Sequence, residues 1–238
     1  MCCGKYSIIR IFCIFAAEKM MSDNLFLLLC FVAALLLPRI PVVGKFFNII
    51  NTALHELGHA LVALCTGGQV NKIELFKDTS GTTTTRTDGR FPAILTSLAG
   101  YPFAASVAWL SFYLIERGAA QGLVVGLSVL FFVMLLFWIR NLYGVLWVFL
   151  FCGVNVCLFY FGGEEYVPYV ALFYAMMILV ESVTSALVLL YLAVRDPQKA
   201  GDAANLAKFT HLPAFVWAML FAAYTGWVVY KVVEMLFL

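Results

Sequence analysis

His55, Glu56 and His59 lie within the stretch NTALHELGHALVALC, residues 51–65, where most of the other residues are apolar. Residues four apart on a helix share one face, so His55 and His59 project together with Glu56 beside them. Two imidazoles at this spacing can ligate zinc, and the adjacent carboxylate can take a proton from a water molecule that the metal activates. The pattern predicts a Zn²⁺ site with His55 and His59 as ligands and Glu56 as general base, then proton donor.

A match over five residues can also arise by chance, and three polar side chains could form a paired cluster without a metal. The apolar surroundings favour the metal. An ionisable residue inside a membrane span costs about 3 kcal/mol and usually marks a functional or paired site. Three such residues at metal-ligand spacing are difficult to explain by packing alone.

The elements that must position these residues are apolar helices. The 238-residue chain is 64% hydrophobic and 12% charged, with a mean hydropathy of +0.97; an ordinary soluble domain is about 25% charged. A membrane-spanning helix needs roughly 20 apolar residues. Seven segments meet or approach that length: 25–43, 46–65, 93–115, 123–139, 142–161, 169–194 and 213–238.

The sequence therefore predicts an all-α polytopic membrane protein with about six to seven transmembrane helices, of which the short fourth segment could be partial. Residues 25–238 are predicted to form a single transmembrane domain. Residues 1–24 are predicted to be an interfacial or poorly ordered leader, because Glu18 and Lys19 end a short apolar run. The seven cysteines include no C-x-x-C pair, and the net charge of +2 gives no indication of a nucleic-acid partner.

The polar segment after the HELGH motif, residues 66–90, predicts a β-hairpin. Its first part has some strand alternation, DTSG is a turn signal, and TTTTRT is rich in β-branched residues. Such a hairpin could accept an extended substrate by strand addition. An ordinary structured loop remains the alternative.

The distribution of basic residues predicts the orientation in the membrane, since Lys and Arg concentrate on the cytoplasmic side. With seven spans, the leader and the loops after spans two, four and six share one side. That side holds Lys5, Arg10, Lys19, Lys72, Lys77, Arg86, Arg90, Arg140, Arg195, Lys199 and Lys208, and the other holds Arg39, Lys45 and Arg117. The loops 66–90 and 195–212 are therefore predicted to be cytoplasmic, although the later placement requires the fourth segment to cross.

The motif and its neighbours resemble a known family. HELGHALVAL, followed by TGGQVNKIELF and SGTTTTR, is similar to the M50-type intramembrane metalloproteases, the site-2 protease group, and in particular to their M50B-like branch. SLAGYPFAAS, RNLYG and GDAANLAKFTHLPAFVWAML resemble that branch more loosely. The resemblance implies zinc-dependent cleavage of membrane-anchored protein or peptide substrates within or beside the lipid bilayer.

The third zinc ligand is left open between two acids. The resemblance implies an aspartate near the start of a later span, and Asp202 in GDAAN matches it, but that loop must fold back toward the deeper histidines. Glu181 is the alternative, because a carboxylate midway along span six needs a partner. His211 is a weaker candidate.

The resemblance also implies an asparagine that assists the transition-state oxyanion, but AGYPFAAS has Ala105 and Ser106 at that point. Asn141 in RNLYG is a possible substitute, although a capping role fits it better. Two other functions remain: a catalytically inactive M50-like membrane scaffold and a membrane metal-binding or transport protein. The sequence does not determine the substrate or the oligomeric state.

Overall fold

A computed structural model describes residues 25–237, so the predicted leader at 1–24 lies outside the described residues. Eight α-helices and one hairpin follow each other in that part of the chain. They are α1 (25–36), α2 (Val43–Cys65), β1 (Gln69–Leu75), β2 (Gly81–Arg86), α3 (Arg90–Glu116), α4 (Ala120–Phe137), α5 (Leu142–Cys157), α6 (Val167–Arg195), α7 (Gly201–Thr210) and α8 (Ala214–Phe237). The predicted all-α polytopic fold with an inserted hairpin is confirmed.

Five segments built on α3, α4, α5, α6 and α8 are each long and apolar enough to cross a membrane. The predicted fourth span belongs to this set, since α4 has 18 residues of mean hydropathy 2.4. The first two predicted spans are instead one pair, in which α1 with its terminal turn meets α2 at 102°. The bend falls beside Pro41, which has no N–H to continue a helix, and counting the pair as one span gives six.

The core of the molecule lies around α2. Ile49, Ile50 and Leu54 are fully buried, and α2 packs against α3 and α6. Gly58 permits the close contact with α3, because a Cβ at this position would lie 2.7 Å from the Cβ of Phe103. Small residues allow membrane helices to approach closely, so this glycine sets the spacing between the two helices.

The hairpin is fixed on two sides. β1 and β2 pair antiparallel, with an irregularity between Val70 and Lys72. The free edge of β1 contacts the chain between α4 and α5, where the Ile73 N–H donates to the Trp138 carbonyl at 2.8 Å. On the other side, the Thr52 hydroxyl of α2 donates to the Thr79 carbonyl at 2.7 Å.

The fully buried side chains of Ile73 and Leu75 complete the hydrophobic attachment of the hairpin. The strands expected in the segment 66–90 are therefore present, and they pack against the helix that carries the HELGH motif.

Candidate metal centre

Two helices that are far apart in sequence bring three potential metal ligands together. His55 and His59 lie one turn apart on α2, and their Nε2 atoms are 3.0 Å from each other. The Oδ2 atom of Asp202, in the first turn of α7, lies 3.2 Å from each of those nitrogens. The loop before α8 thus folds back far enough for Asp202 to reach the histidines.

The three atoms fit the requirements of a small divalent cation. Donors placed 2.0–2.1 Å from a tetrahedral zinc ion stand roughly 3.4 Å apart, close to the separations found here. Two imidazoles and one carboxylate form a common ligand set for catalytic zinc, which leaves a fourth position for water or substrate. Among the described residues, His55, His59 and Asp202 form the one group of three or more His, Cys, Asp or Glu side chains that could hold a metal ion.

Thr96 fixes the orientation of one ligand. The Nδ1 atom of His59 lies 2.7 Å from the Thr96 carbonyl oxygen on α3. Because a carbonyl only accepts, Nδ1 carries a proton, which leaves Nε2 as the ring nitrogen that can bind a metal. This arrangement, in which the second ring nitrogen donates to a carbonyl, is typical of histidines that bind metals.

Gly100 on α3 leaves the space that the two imidazoles occupy. A Cβ at this position would lie 2.5 Å from Cε1 of His55 and 2.6 Å from Nε2 of His59. Real Cβ atoms do not approach other heavy atoms so closely, so a larger residue would displace the rings. The glycine therefore belongs to the structure of the centre, although it offers no ligand.

Glu56 lies on the side of the centre that faces the hairpin. Its carboxylate Oε2 accepts a hydrogen bond from the Thr83 hydroxyl on β2 at 2.7 Å. The residue is only 6% exposed. Gly81 makes room for it, because a Cβ there would lie 2.7 Å from Glu56 Cγ. The hairpin thus supports the carboxylate that the sequence predicts as general base.

The electrostatics of Asp202 reflect two opposing effects. Burial on its own would raise the pKa of this carboxyl, but the imidazoles of His59 and His55 lower it well below its usual range. Asp202 also lies in the first turn of α7, where the helix dipole favours a negative charge. The carboxylate is therefore ionised and available as a ligand at neutral pH.

A cavity of about 430 Å³ opens onto these groups. Its walls come from α2, β2, α3 and α7, and they include Thr82, Thr85, Ser97, Tyr101 and Asn205 besides the residues described above. Hydroxyl and amide groups thus surround the three potential ligands and Glu56.

Other residues singled out in the sequence lie elsewhere. Glu181 is on α6 and is not part of the ligand group, and His211 ends α7 with a left-handed backbone. The side-chain amide of Asn141 hydrogen-bonds both backbone groups of Leu75 on β1. That contact agrees with a structural role for Asn141 and not with a role beside the ligands.

The sequence pattern gave no indication of Thr83, Gly100 or Thr96. Thr83 is one of four consecutive threonines, and only the pairing register identifies the one that reaches Glu56. Gly100 lies within the SLAGYPFAAS element and Thr96 directly before it, but the family resemblance of that element drew attention to positions 105 and 106. Long-range packing, rather than a local pattern, assigns these three residues to the centre.

Comparison with known proteins agrees with the geometry. The family model described as Peptidase M50B-like matches residues 27–232, which includes α2, the hairpin and α7. No curated protein and no solved structure shows significant similarity to the chain. Because the family model covers far more than half of the sequence, the chain belongs to the Peptidase M50B-like family, within the site-2-protease-like M50 membrane metallopeptidases.

Proposed function

We propose that this protein is an intramembrane zinc metalloprotease that hydrolyses peptide bonds of membrane-anchored proteins or peptides. The observation that carries the proposal is the position of Asp202, whose Oδ2 lies 3.2 Å from the Nε2 atoms of both His55 and His59. These three side chains would hold the ion, and Glu56 lies in the same cavity.

When bound, zinc would lower the pKa of a water molecule to about 7 and polarise the substrate carbonyl. Glu56 takes a proton from the attacking water and passes it to the amide nitrogen as the C–N bond breaks. Thr83 holds the Glu56 carboxylate during both transfers. Thr96 keeps His59 in the tautomer that ligation requires.

The hairpin suggests how a substrate presents its backbone. In the described part of the chain the sheet has two strands, so β2 is paired only with β1. Gly81, Thr82, Thr83 and Thr85 of β2 line the cavity. An unwound substrate segment would add to the sheet beside β2, since backbone hydrogen bonds tolerate varied side chains.

Cleavage by the purified protein in liposomes, with single-span peptides as substrates, tests the proposal. We expect cleavage that 1,10-phenanthroline abolishes, that added Zn²⁺ restores, and that the Glu56→Gln variant lacks. Glu74→Gln is the matched control, because Glu74 lies on β1 and pairs with Lys72 at 2.7 Å. Equal rates for the wild type and Glu56→Gln would contradict the mechanism.

The same preparation separates the two other functions. Stoichiometric zinc without cleavage of any peptide would indicate an inactive scaffold. Zinc flux into the liposomes that depends on His55 and His59 would indicate a transporter.

We also propose a multi-pass topology with the loops 66–90 and 195–212 on the cytoplasmic side. The basic residues of these loops support it, and so does the meeting of the hairpin and α7 at one cavity. Asp88→Cys and Lys199→Cys, each in a cysteine-free background, should react with an impermeant maleimide only after the cell membrane is opened. Labelling of either position in intact cells would contradict the assignment.

A further inference from the structure

Peptide hydrolysis places negative charge on the substrate carbonyl oxygen, and this chain lacks the donor that the family resemblance implies. As the water oxygen bonds to the carbonyl carbon, the C=O π electrons move to oxygen, and a preorganised donor stabilises the resulting oxyanion. Ala105 is buried and has no polar side chain. The Ser106 hydroxyl lies 2.7 Å from the Tyr224 hydroxyl, at the contact between α3 and α8. Neither residue therefore supplies that donor to the cavity.

We propose that Tyr101 is the donor residue and that its hydroxyl donates a hydrogen bond to the substrate oxyanion. This inference rests on the proposed protease function. Tyr101 lines the cavity that contains His55, Glu56, His59 and Asp202. A phenol O–H is neutral at physiological pH and can donate a hydrogen bond to a developing negative charge.

The Tyr101 ring is held from two sides. Its centroid lies 4.6 Å from that of His55 with an interplanar angle of 85°. On its other side it stacks on Phe221 of α8 at 5.0 Å and 25°. A donor fixed by such contacts pays little reorganisation energy when charge develops, which is the physical basis of electrostatic catalysis.

The Tyr101 hydroxyl is also available to a ligand, because no side chain or backbone group in the range 25–237 forms a hydrogen bond with it. Thr83 differs in this respect, since its hydroxyl is engaged by Glu56. The Thr96 hydroxyl oxygen has no partner but is completely buried, so a substrate cannot reach it. Asn205 lines the cavity as an exposed residue and lacks the aromatic contacts that fix Tyr101.

The reaction balances with these groups. Water donates its proton to Glu56, and its oxygen forms the new C–O bond while Tyr101 stabilises the oxyanion. The C=O bond then re-forms, the C–N bond breaks, and Glu56 protonates the leaving nitrogen. The products are a carboxylic acid and an amine, and Tyr101 retains its proton throughout.

Tyr101→Phe tests the inference, because it removes the hydroxyl and keeps the ring that packs against His55 and Phe221. A single oxyanion donor contributes about 100-fold or more to kcat. We expect kcat to fall by about 100-fold, KM to stay within about twofold, and zinc content to be unchanged.

Tyr224→Phe is the matched control, since it removes a phenol hydroxyl from α8 that does not line the cavity.

Two readouts do not depend on turnover. A phosphinic peptide, which imitates the tetrahedral oxyanion, should bind Tyr101→Phe about 100-fold more weakly than wild type. The visible spectrum of the Co²⁺-substituted protein should be the same for both, because no ligand changes.

Each outcome supports or overturns the assignment. Chelator-sensitive cleavage by the wild type with an equal rate in Tyr101→Phe overturns the inference and leaves the proposed protease function intact. A loss of zinc or an altered Co²⁺ spectrum in Tyr101→Phe also overturns it, because the residue would then only support the metal ligands. A wild-type protein that cleaves no peptide overturns both proposals.

Discussion

The Thr83 hydroxyl of β2 donates a 2.7 Å hydrogen bond to the carboxylate of Glu56 on α2. The two residues are 27 positions apart in sequence, and the pairing of β2 with β1 sets their approach. Glu56 is buried, so the direction of its carboxylate depends on this bond. The hairpin is thus a support for the proposed general base as well as a candidate substrate platform.

Replacing Thr83 by Val should reduce cleavage while zinc remains bound. A hydrogen bond to a charged group is worth about 1.5–3 kcal/mol, so kcat should fall by roughly 10- to 100-fold if the bond persists in the transition state. Valine has nearly the same shape as threonine, which separates the lost bond from lost packing. The measurement is kcat with zinc content determined on the same sample.

Thr84→Val is the control for this change. Thr84 is the next residue on β2 and does not line the cavity, so its variant should retain the wild-type rate. Equal losses in the two variants would mean that the threonines act only through strand stability.

Asp202 and Glu181 give opposite expectations for metal binding. Asp202→Ala removes a carboxylate that lies 3.2 Å from both histidine Nε2 atoms, and we expect the purified variant to lose most of its zinc. Glu181→Ala should retain full zinc, because Glu181 does not belong to the ligand group. Metal analysis of both variants by mass spectrometry decides between the two acids. Full zinc in the Asp202→Ala variant would show that Asp202 is not the third ligand.

The sequence was sufficient to predict the hairpin, the helices after it and the local part of the candidate site. His55, Glu56 and His59 follow from helical spacing alone, since the three residues share α2. The hairpin also has local signals in DTSG and in the threonine run. The hairpin is confirmed, and its signals lie within one β-turn. The shared face of His55, Glu56 and His59 also depends only on local helical spacing, while their roles as ligands and general base stay predictions.

The sequence did not predict the contacts that depend on packing between elements far apart in the chain. It left Asp202 and Glu181 open because the path of the chain after α6 determines which carboxylate reaches α2. With the bend beside Pro41, the segments 25–43 and 46–65 count as at most one candidate span, and hydropathy alone cannot distinguish two spans from one broken span. Gly100 had no local signal, because the space that it leaves is filled by side chains of another helix.

Asn141 should act on the hairpin and not on chemistry at the metal. Its amide hydrogen-bonds the N–H and the carbonyl of Leu75, and removal of both bonds leaves buried backbone groups unpaired at a cost of about 1–3 kcal/mol each. We expect Asn141→Ala to accelerate proteolytic nicking of the hairpin and to lower cleavage, while zinc content stays at the wild-type level.

Asn71→Ala serves as its control, because Asn71 is exposed beside the irregularity in β1. Its variant should be nicked at the wild-type rate. Protection of the hairpin in Asn141→Ala equal to that of the wild type would show that the amide does not hold β1 in place.

Gly100→Ala should disrupt the centre by the addition of one methyl group. The new Cβ would lie 2.6 Å from the Nε2 atoms of both His55 and His59, so the rings must shift from the positions they have beside Asp202. A misplacement of about 1 Å can cost about 100-fold in rate, so we expect a comparable loss of cleavage together with substoichiometric zinc. Gly126→Ala controls for the general effect of alanine, because nothing lies within 4 Å of a Cβ there and alanine favours a helix by about 1 kcal/mol over glycine. A Gly100→Ala protein with full zinc and normal cleavage would show that the imidazoles do not lie against residue 100 of α3. The ligand geometry described for the centre would then be wrong.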